Sequence, residues 1–223
     1  MANKKVFYTL LVCFFLVMTG YGIVLPILPG FIQEIARNGN YGYFSVPIHV
    51  GLITGIFPLM QFFFAPVWGK HSDIAGRYGV LMIGMSGYAV SLMLFGLVEN
   101  LLLLYLFRIL GGIFSASVIP IVNSCITDLT TREQRGRALS IAGGAGSLGV
   151  VVGPVISSFI AGSHLSLGLV TGNPFTLLFV LAGLLSLIAA LVLYIFHDNM
   201  GTGVKISAAS VSSSRISFNP DYS

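Results

Sequence analysis

Residues 101–127 read LLLLYLFRILGGIFSASVIPIVNSCIT, and Arg108 is the one ionised side chain in this stretch. About 20 apolar residues in a helix cross the ~30 Å hydrocarbon core of a bilayer, so the stretch is long enough to span a membrane. It lacks the alternation of polar and apolar residues that a barrel strand requires. A backbone in lipid must satisfy its own hydrogen bonds, and the stretch therefore predicts a transmembrane helix.

Five further apolar runs of similar length lie at 6–32, 48–68, 78–98, 139–161 and 174–196. The chain of 223 residues is 56% apolar and only 8% charged, whereas soluble chains carry about 25% charged residues. This composition excludes a soluble domain and a disordered chain, and two cysteines cannot form a disulfide framework. The predicted fold class is an all-α integral membrane protein with six transmembrane helices.

The basic residues predict the orientation of these helices, because Lys and Arg in short loops stay on the cytoplasmic side. If the amino terminus is inside, nine of the 11 basic residues are cytoplasmic: Lys4, Lys5, Lys70, Arg77, Arg132, Arg135, Arg137, Lys205 and Arg215. We therefore predict that both termini are cytoplasmic. Topology then explains the net charge of +4, and no nucleic-acid partner is implied.

The helical part of the chain is predicted to form one domain, residues 1–198. The remaining residues, 199–223, are rich in serine and show no apolar periodicity. This composition is typical of a flexible cytoplasmic tail or of the start of a central linker.

Opposite charges lie close together in the predicted cytoplasmic loops. The connection after the second run reads Gly69-Lys-His-Ser-Asp73-Ile-Ala-Gly76-Arg77, and Asp128 follows the fourth run. Glycines allow a tight turn there. The two loops predict either a charge network that ties helices together on one face or ordinary solvated loops, in which each exposed pair contributes about 0 to 1 kcal/mol.

The fifth run carries small residues at helical spacing. Gly149 and Gly153 lie on one stripe with Ala142, Gly146 and Ser157, and such a stripe lets another helix approach closely. Pro154 removes a backbone hydrogen bond in the same stretch. We interpret the segment as a helix-packing hinge between moving parts, with static packing as the alternative.

Arg108 is the ionised residue placed deepest in the predicted membrane. An arginine at the centre of a membrane helix costs about 2.5–3.5 kcal/mol on insertion scales, so it usually faces a cavity. The alternative is that its side chain extends outward to the headgroups. Gln61, Tyr21 and Asn123 are the polar residues expected to line the same cavity, where aromatic rings favour flat amphipathic compounds.

Four segments together resemble a known transporter family: Gly69-x-x-x-Asp73-x-x-Gly76-Arg77, Gly20-Tyr-Gly22-Ile-Val-Leu-Pro26-Ile-Leu-Pro29, Leu104-x-x-x-Arg108-x-x-Gly111-Gly112 and Gly149-x-x-x-Gly153-Pro154. The first is similar to the loop signature of the major facilitator superfamily. The other three resemble its drug:proton antiporter branch, which includes tetracycline and multidrug exporters. The resemblance covers the amino-terminal six-helix half of a twelve-helix family.

The resemblance implies two three-helix repeats, 6–98 and 101–196, in a multi-pass protein of the cell membrane. It implies proton-coupled efflux of drug-like amphipathic compounds by alternating access, with Arg108 contributing to proton coupling. The expected partners are a small-molecule substrate, the proton, the lipid bilayer and a second six-helix bundle. No enzyme, cofactor or metal site is expected, because hydrolase, phosphate-binding and metal-ligand motifs are missing from the sequence.

Other functions stay open at this point. All seven acidic residues lie at the ends of runs, in loops or in the tail, so a titrating carboxylate belongs to a missing half, or coupling uses Asp73 or Asp128. The chain is also compatible with a truncated product or a non-transporting membrane protein that binds other helices through the Gly149 and Gly153 stripe. Proton-driven uptake of a small solute is a third hypothesis.

Overall fold

A computed structural model describes residues 4–39, 45–162 and 174–196, and its regular elements there are all α-helices. They are α1 (Lys4–Asn38), α2 (Val46–Ala75), α3 (Arg77–Leu97), α4 (Leu101–Ser115), α5 (Val118–Leu129), α6 (Arg132–Gly162) and α7 (Pro174–Ile195). Six helical segments are long and apolar enough to cross a membrane, and α4 with α5 forms the fourth of them. The prediction of six spans is confirmed. The predicted tail, 199–223, lies outside the described residues, and the orientation in the membrane stays a prediction.

The helices pack in a pattern that is unchanged when the first three spans are exchanged with the last three. The contact of α1 with α6 corresponds to that of α4 with α2, and the contact of α1 with α7 corresponds to that of α4 with α3. The contact of α3 with α7 corresponds to itself. These five interfaces are the most extensive in the bundle. They therefore agree with two three-helix repeats of related structure.

Burial differs strongly between the spans. Three phenylalanines from α1, α3 and α7 form the aromatic centre of the core: the rings of Phe31 and Phe179 are 4.8 Å apart, and those of Phe95 and Phe179 are 5.1 Å apart. In α1, 56% of the apolar window is buried, against 11% in α2 and 22% in α6. The bundle is thus well packed around α1, whereas α2 and α6 leave most of their surface uncovered.

Two predicted cytoplasmic loops are largely helical. Helix α2 continues to Ala75, so the connection to α3 is the single residue Gly76, whose φ of 97° lies in the left-handed region that favours glycine. Helix α6 begins at Arg132 rather than at the predicted residue 139, because Arg, Glu and Gln are good helix formers even outside the apolar run. Helix α1 likewise extends beyond the predicted residue 32 to Asn38.

The fourth predicted helix is interrupted between α4 and α5. Pro120 has no N–H group, so the carbonyl of Ala116 lacks its usual partner four residues later. The hydroxyls of Ser115 and Ser117 donate to the carbonyls of Gly112 and Phe114 at 3.2 and 2.9 Å. The helix breaks at this point. The dihedral angles of Ala116 and Ser117 stay in the right-handed helical region, and the N–H of Ser117 donates to the carbonyl of Phe114 at 3.2 Å, so the interruption is one tight turn.

Candidate functional site

A cavity of about 160 Å³ lies where α1, α2, α3 and the break between α4 and α5 meet. It is lined by Val17, Met18, Tyr21, Phe57, Gln61, Tyr88, Ser115, Val118 and Ile119. These residues fall near the middle of their spans. The cavity therefore lies at the depth of the membrane centre.

Polar and aromatic side chains shape the walls of this cavity. The amide nitrogen of Gln61 donates to the hydroxyl of Ser115 at 3.1 Å, and this bond joins α2 to the end of α4. The ring of Tyr21 stacks on that of Phe57, with centroids 5.8 Å apart and planes 20° apart. Aromatic surface beside an amide suits a flat ligand with one or two polar groups. Gln61 and Tyr21 thus lie in the cavity that the sequence assigned to them.

Arg108 lies beside the cavity and is not among the residues that line it. Its side chain is 4% exposed, and its guanidinium carbon is 4.3 Å from the centroid of the Phe57 ring and 5.8 Å from that of Phe95. The ring of Phe57 contacts the guanidinium and also lines the cavity. The side chain is therefore held inside the bundle by cation–π contacts and does not extend toward the headgroups.

Asn123 lies apart from the other predicted lining residues. It is exposed on α5 and does not line the cavity. The prediction that it lines the same cavity as Arg108 assumed one unbroken helix over residues 101–127. The tight turn at 116–117, with about three rather than 3.6 residues per turn, rotates α5 relative to α4.

Three charged residues meet at the ends of α2, α3 and α5. Arg77 Nε lies 3.0 Å from Asp128 Oδ2, and Arg77 Nη2 lies 3.4 Å from Asp73 Oδ1. Gly76 permits this arrangement, because its positive φ lets α3 begin directly after α2. A Cβ atom built at Gly69 would meet no atom of another helix within 4 Å, and the carbonyl of Gly69 accepts a hydrogen bond from the Ser72 hydroxyl at 2.7 Å. The geometry links three helix ends through one guanidinium.

The small-residue stripe of α6 is covered by α1 of the same chain. A Cβ atom on Gly149 would stand 2.7 Å from the carbonyl oxygen of Phe15. Gly153 is packed just as closely on the backbone of Gly22. Pro154 lies one residue later and leaves the carbonyl of Val150 without an α-helical donor. The stripe is therefore an interface inside this bundle, and it is not free to bind another one.

Three aromatic residues in or near the site were missed by the sequence analysis. Tyr88 lines the cavity from α3 and is 1% exposed; a hydroxyl in an apolar run was the signal that could have identified it. Trp68 donates from Nε1 to the carbonyl of Ile113 at 2.6 Å and ties α2 to α4. Phe57 carried no such signal. In the sequence it cannot be distinguished from Phe62 and Phe63 of the same helix, which are exposed.

Metal-ligating residues do not cluster in the described ranges. No group of three or more His, Cys, Asp or Glu side chains there could hold a metal ion. The two cysteines, Cys13 and Cys125, are free and buried. Cys125 packs as a small apolar group, whereas the thiol of Cys13 donates to the carbonyl of Ala189 at 3.3 Å and joins α1 to α7.

Comparison with known proteins shows which family this arrangement belongs to. A family model described as Major Facilitator Superfamily matches residues 10–219. Multidrug resistance protein 1 of Bacillus subtilis is 31% identical over 188 residues, which is 84% of this chain and 46% of that protein. Tetracycline resistance protein, class B, of Escherichia coli is 33% identical over 140 residues, or 63% of this chain and 33% of that protein. The chain spans about half the length of the curated relatives it matches, or less.

Solved structures share the fold. The human organic anion transporter MFSD10 superimposes with a TM-score of 0.69 at 21% identity, over 86% of this chain and 47% of that one. The xylose transporter XylE from E. coli gives a TM-score of 0.71 at 16% identity, over 96% and 56% of the two chains. The six spans of this chain thus form a bundle found in larger multi-pass membrane proteins.

Proposed function

The chain belongs to the major facilitator superfamily, and we propose that it is the amino-terminal half of a cell-membrane transporter that exports drug-like amphipathic compounds in exchange for protons. Export proceeds by alternating access, in which one six-helix bundle rocks against another around a central site. The proposal rests on one observation above all. A cavity with aromatic walls lies at mid-membrane depth, with a buried guanidinium beside it.

The walls of the cavity suit amphipathic ligands. The rings of Tyr21 and Phe57 offer stacking surface, and Gln61 offers an amide beside them. Flat compounds gain affinity from burying apolar area against such rings, while a few polar groups fix their orientation. Relatives whose names describe multidrug and tetracycline resistance support this class of substrate for the whole transporter.

A second six-helix bundle is the proposed partner, and α2 and α6 are the helices that receive it. These two helices bury the smallest shares of their apolar windows, 11% and 22%. They occupy equivalent positions in the two repeats, so a partner of similar symmetry meets both. Glycines on each helix, Gly51 and Gly55 of α2 and Gly143 and Gly144 of α6, have open space around them. Small residues of this kind let helices approach closely in membranes.

Proton coupling requires a group that titrates in the transport cycle. In the spans that the structure describes, the carboxylates Asp73 and Asp128 lie at helix ends, and no acidic residue lines the cavity. We propose that the proton-binding carboxylate belongs to the second bundle, or that Asp128 exchanges protons through its contact with Arg77. Arg108 then sets the local electrostatic field near the substrate.

The proposed interaction protein is the weaker alternative. The predicted contact of such a protein with other helices is the stripe of Gly149 and Gly153, but α1 already occupies that stripe. Such a protein would have to use the open surfaces of α2 and α6 instead. These surfaces serve equally well as the contact between the halves of a transporter, so they do not favour a non-transporting protein.

Accumulation of tetracycline in cells tests the proposal. Cells that express the chain are compared with cells that express the Arg108→Ala variant, the Leu102→Ala variant or nothing. Leu102 is an exposed residue of the same helix and serves as the matched control. We expect lower accumulation with the wild-type chain and with Leu102→Ala, and a return to the empty-cell level with Arg108→Ala or a protonophore. Equal accumulation in all four strains would remove export as a function of this polypeptide.

A further inference from the structure

Two buried hydrogen-bond donors beside the cavity have no partner in the described part of the chain. They are the Tyr88 hydroxyl and Arg108 Nε. The two side chains are 1% and 4% exposed. An unsatisfied buried polar group costs about 1–3 kcal/mol, more if it is charged, and native structures rarely leave one without a reason. Two such groups at one site point to a ligand that supplies the missing acceptor.

Both donors belong to one cluster at the cavity wall. Tyr88 and Tyr21 both line the cavity. Phe57 links them, since its ring packs on the guanidinium at 4.3 Å, on Tyr21 at 5.8 Å and on Tyr88 at 6.1 Å. The two donor atoms are covered in this conformation, so a ligand reaches them only when side chains of the cavity wall move.

The cluster has an excess of donors and of positive charge. A guanidinium can only donate, and a phenol has one hydrogen to donate. In the described ranges the ion pairs of arginine with carboxylate are those of Arg77, and Arg108 forms none. A fixed positive charge on a ligand would face an unpaired guanidinium at low dielectric, where repulsion between like charges is strong. An acceptor oxygen would instead receive a charge-assisted hydrogen bond from the guanidinium and an ordinary one from the phenol.

We infer that the cavity selects planar aromatic compounds that carry a hydrogen-bond-accepting oxygen, neutral or anionic, over planar compounds with a permanent positive charge. Tyr88 and Arg108 bind the oxygen, and Tyr21 and Phe57 stack on the ring system. This inference rests on the proposed function, because it takes the cavity as the substrate site. It goes further by naming the substrate class and by assigning Tyr88 to binding.

Two compounds of the same shape test this selection. Acridone is a planar tricycle with a carbonyl oxygen, and N-methylacridinium is a planar tricycle with a fixed positive charge. Each is titrated by fluorescence against the purified full chain in nanodiscs, with empty nanodiscs subtracted. We expect acridone to bind about tenfold more tightly, because a site with buried donors rejects a ligand that leaves them unpaired.

Variants separate hydrogen bonding from packing. Tyr88→Phe removes only the hydroxyl and keeps the ring, so it should weaken acridone binding about three- to tenfold and leave N-methylacridinium binding unchanged. Tyr8→Phe makes the same chemical change at an exposed residue outside the cavity and should alter neither. Arg108→Gln, checked for its folded state by thermal unfolding, should reduce the preference for acridone.

The outcomes distinguish this inference from the proposed function. Equal or tighter binding of N-methylacridinium overturns the inference, as does a Tyr88→Phe variant that weakens both compounds equally. If the inference is overturned but the same chain lowers drug accumulation in cells, the proposed function stands without the inference. Absence of saturable binding for either compound overturns the inference and removes the cavity as the substrate site.

Discussion

Gly153 of α6 lies so close to Gly22 of α1 that a Cβ atom on Gly153 would stand 2.5 Å from the Cα atom of Gly22. Each glycine also lies beside a turn that a proline weakens. Pro154 frees the carbonyl of Val150, whose oxygen would lie 2.7 Å from a Cβ on Gly22, and Pro26 removes the helical donor to the carbonyl of Gly22 itself. The two weakened turns therefore meet where α1 and α6 cross.

The first prediction concerns this crossing. Gly153→Ala should destabilise the bundle by about 1–3 kcal/mol, because the added methyl group overlaps the backbone of α1 and forces the helices apart. Gly143→Ala, on the same helix but with open space around it, should leave stability unchanged or raise it slightly. Thermal unfolding in detergent measures both as shifts in apparent Tm. Equal shifts for the two variants would contradict the close contact.

The second prediction ranks the two carboxylates that Arg77 contacts. The Asp128 side chain is 30% exposed and lies 3.0 Å from the guanidinium, whereas that of Asp73 is 65% exposed and lies 3.4 Å away. Solvent screens the second pair more strongly. We expect Asp128→Asn to lower the free energy of unfolding by about 1 kcal/mol and Asp73→Asn by less than about 0.5 kcal/mol.

Unfolding of both variants at low and high salt provides the measurement. The effect of Asp128→Asn should shrink less with salt than that of Asp73→Asn, because a partly buried pair is screened less. The variant Arg77→Gln should make the Asp128 substitution nearly neutral, since the two residues would no longer interact. A larger effect at Asp73 than at Asp128 would reverse the ranking and contradict the distances and exposures on which it rests.

The sequence predicted the number of spans because each apolar run is long enough to cross a bilayer. It misplaced the helix ends for the same reason, since hydropathy marks the membrane and not the helix: α6 begins seven residues before its predicted start, at Arg132. The break at 116–117 was also missed. Pro120 signals such a break, but proline is tolerated in membrane helices often enough to be discounted.

The site was predicted only in part. Gln61 and Arg108 were identifiable, because an amide and a cation are costly in lipid and so indicate a cavity or a buried contact. Phe57, which links Tyr21, Tyr88 and Arg108, cannot be distinguished by sequence from phenylalanines that face outward. Which ring turns inward depends on how α2 packs against α4, and no local pattern encodes that packing.

The third prediction concerns orientation. Arg37, near the end of α1, and Arg137, in the first turns of α6, are both exposed, and the charge pattern predicts that they lie on opposite sides of the membrane. In a background without the buried Cys13 and Cys125, a membrane-impermeant maleimide applied to intact cells should label Arg37→Cys and not Arg137→Cys. Permeabilised cells provide the control, in which both should react. Labelling of Arg137→Cys alone in intact cells would show that the chain has the opposite orientation in the membrane.

The claim that the mid-membrane cavity receives a ligand is tested most directly by thiol protection. In the same cysteine-free background, Gln61→Cys is modified with a charged methanethiosulfonate reagent, with and without tetracycline; Phe62→Cys, on the neighbouring exposed position, is the control. We predict that Gln61→Cys reacts and that tetracycline, well above its Kd, slows its modification at least about threefold by occupying the cavity. The rate at Phe62→Cys should not change. A rate at Gln61→Cys that is unaffected by tetracycline, or slowed equally at both positions, would contradict the account.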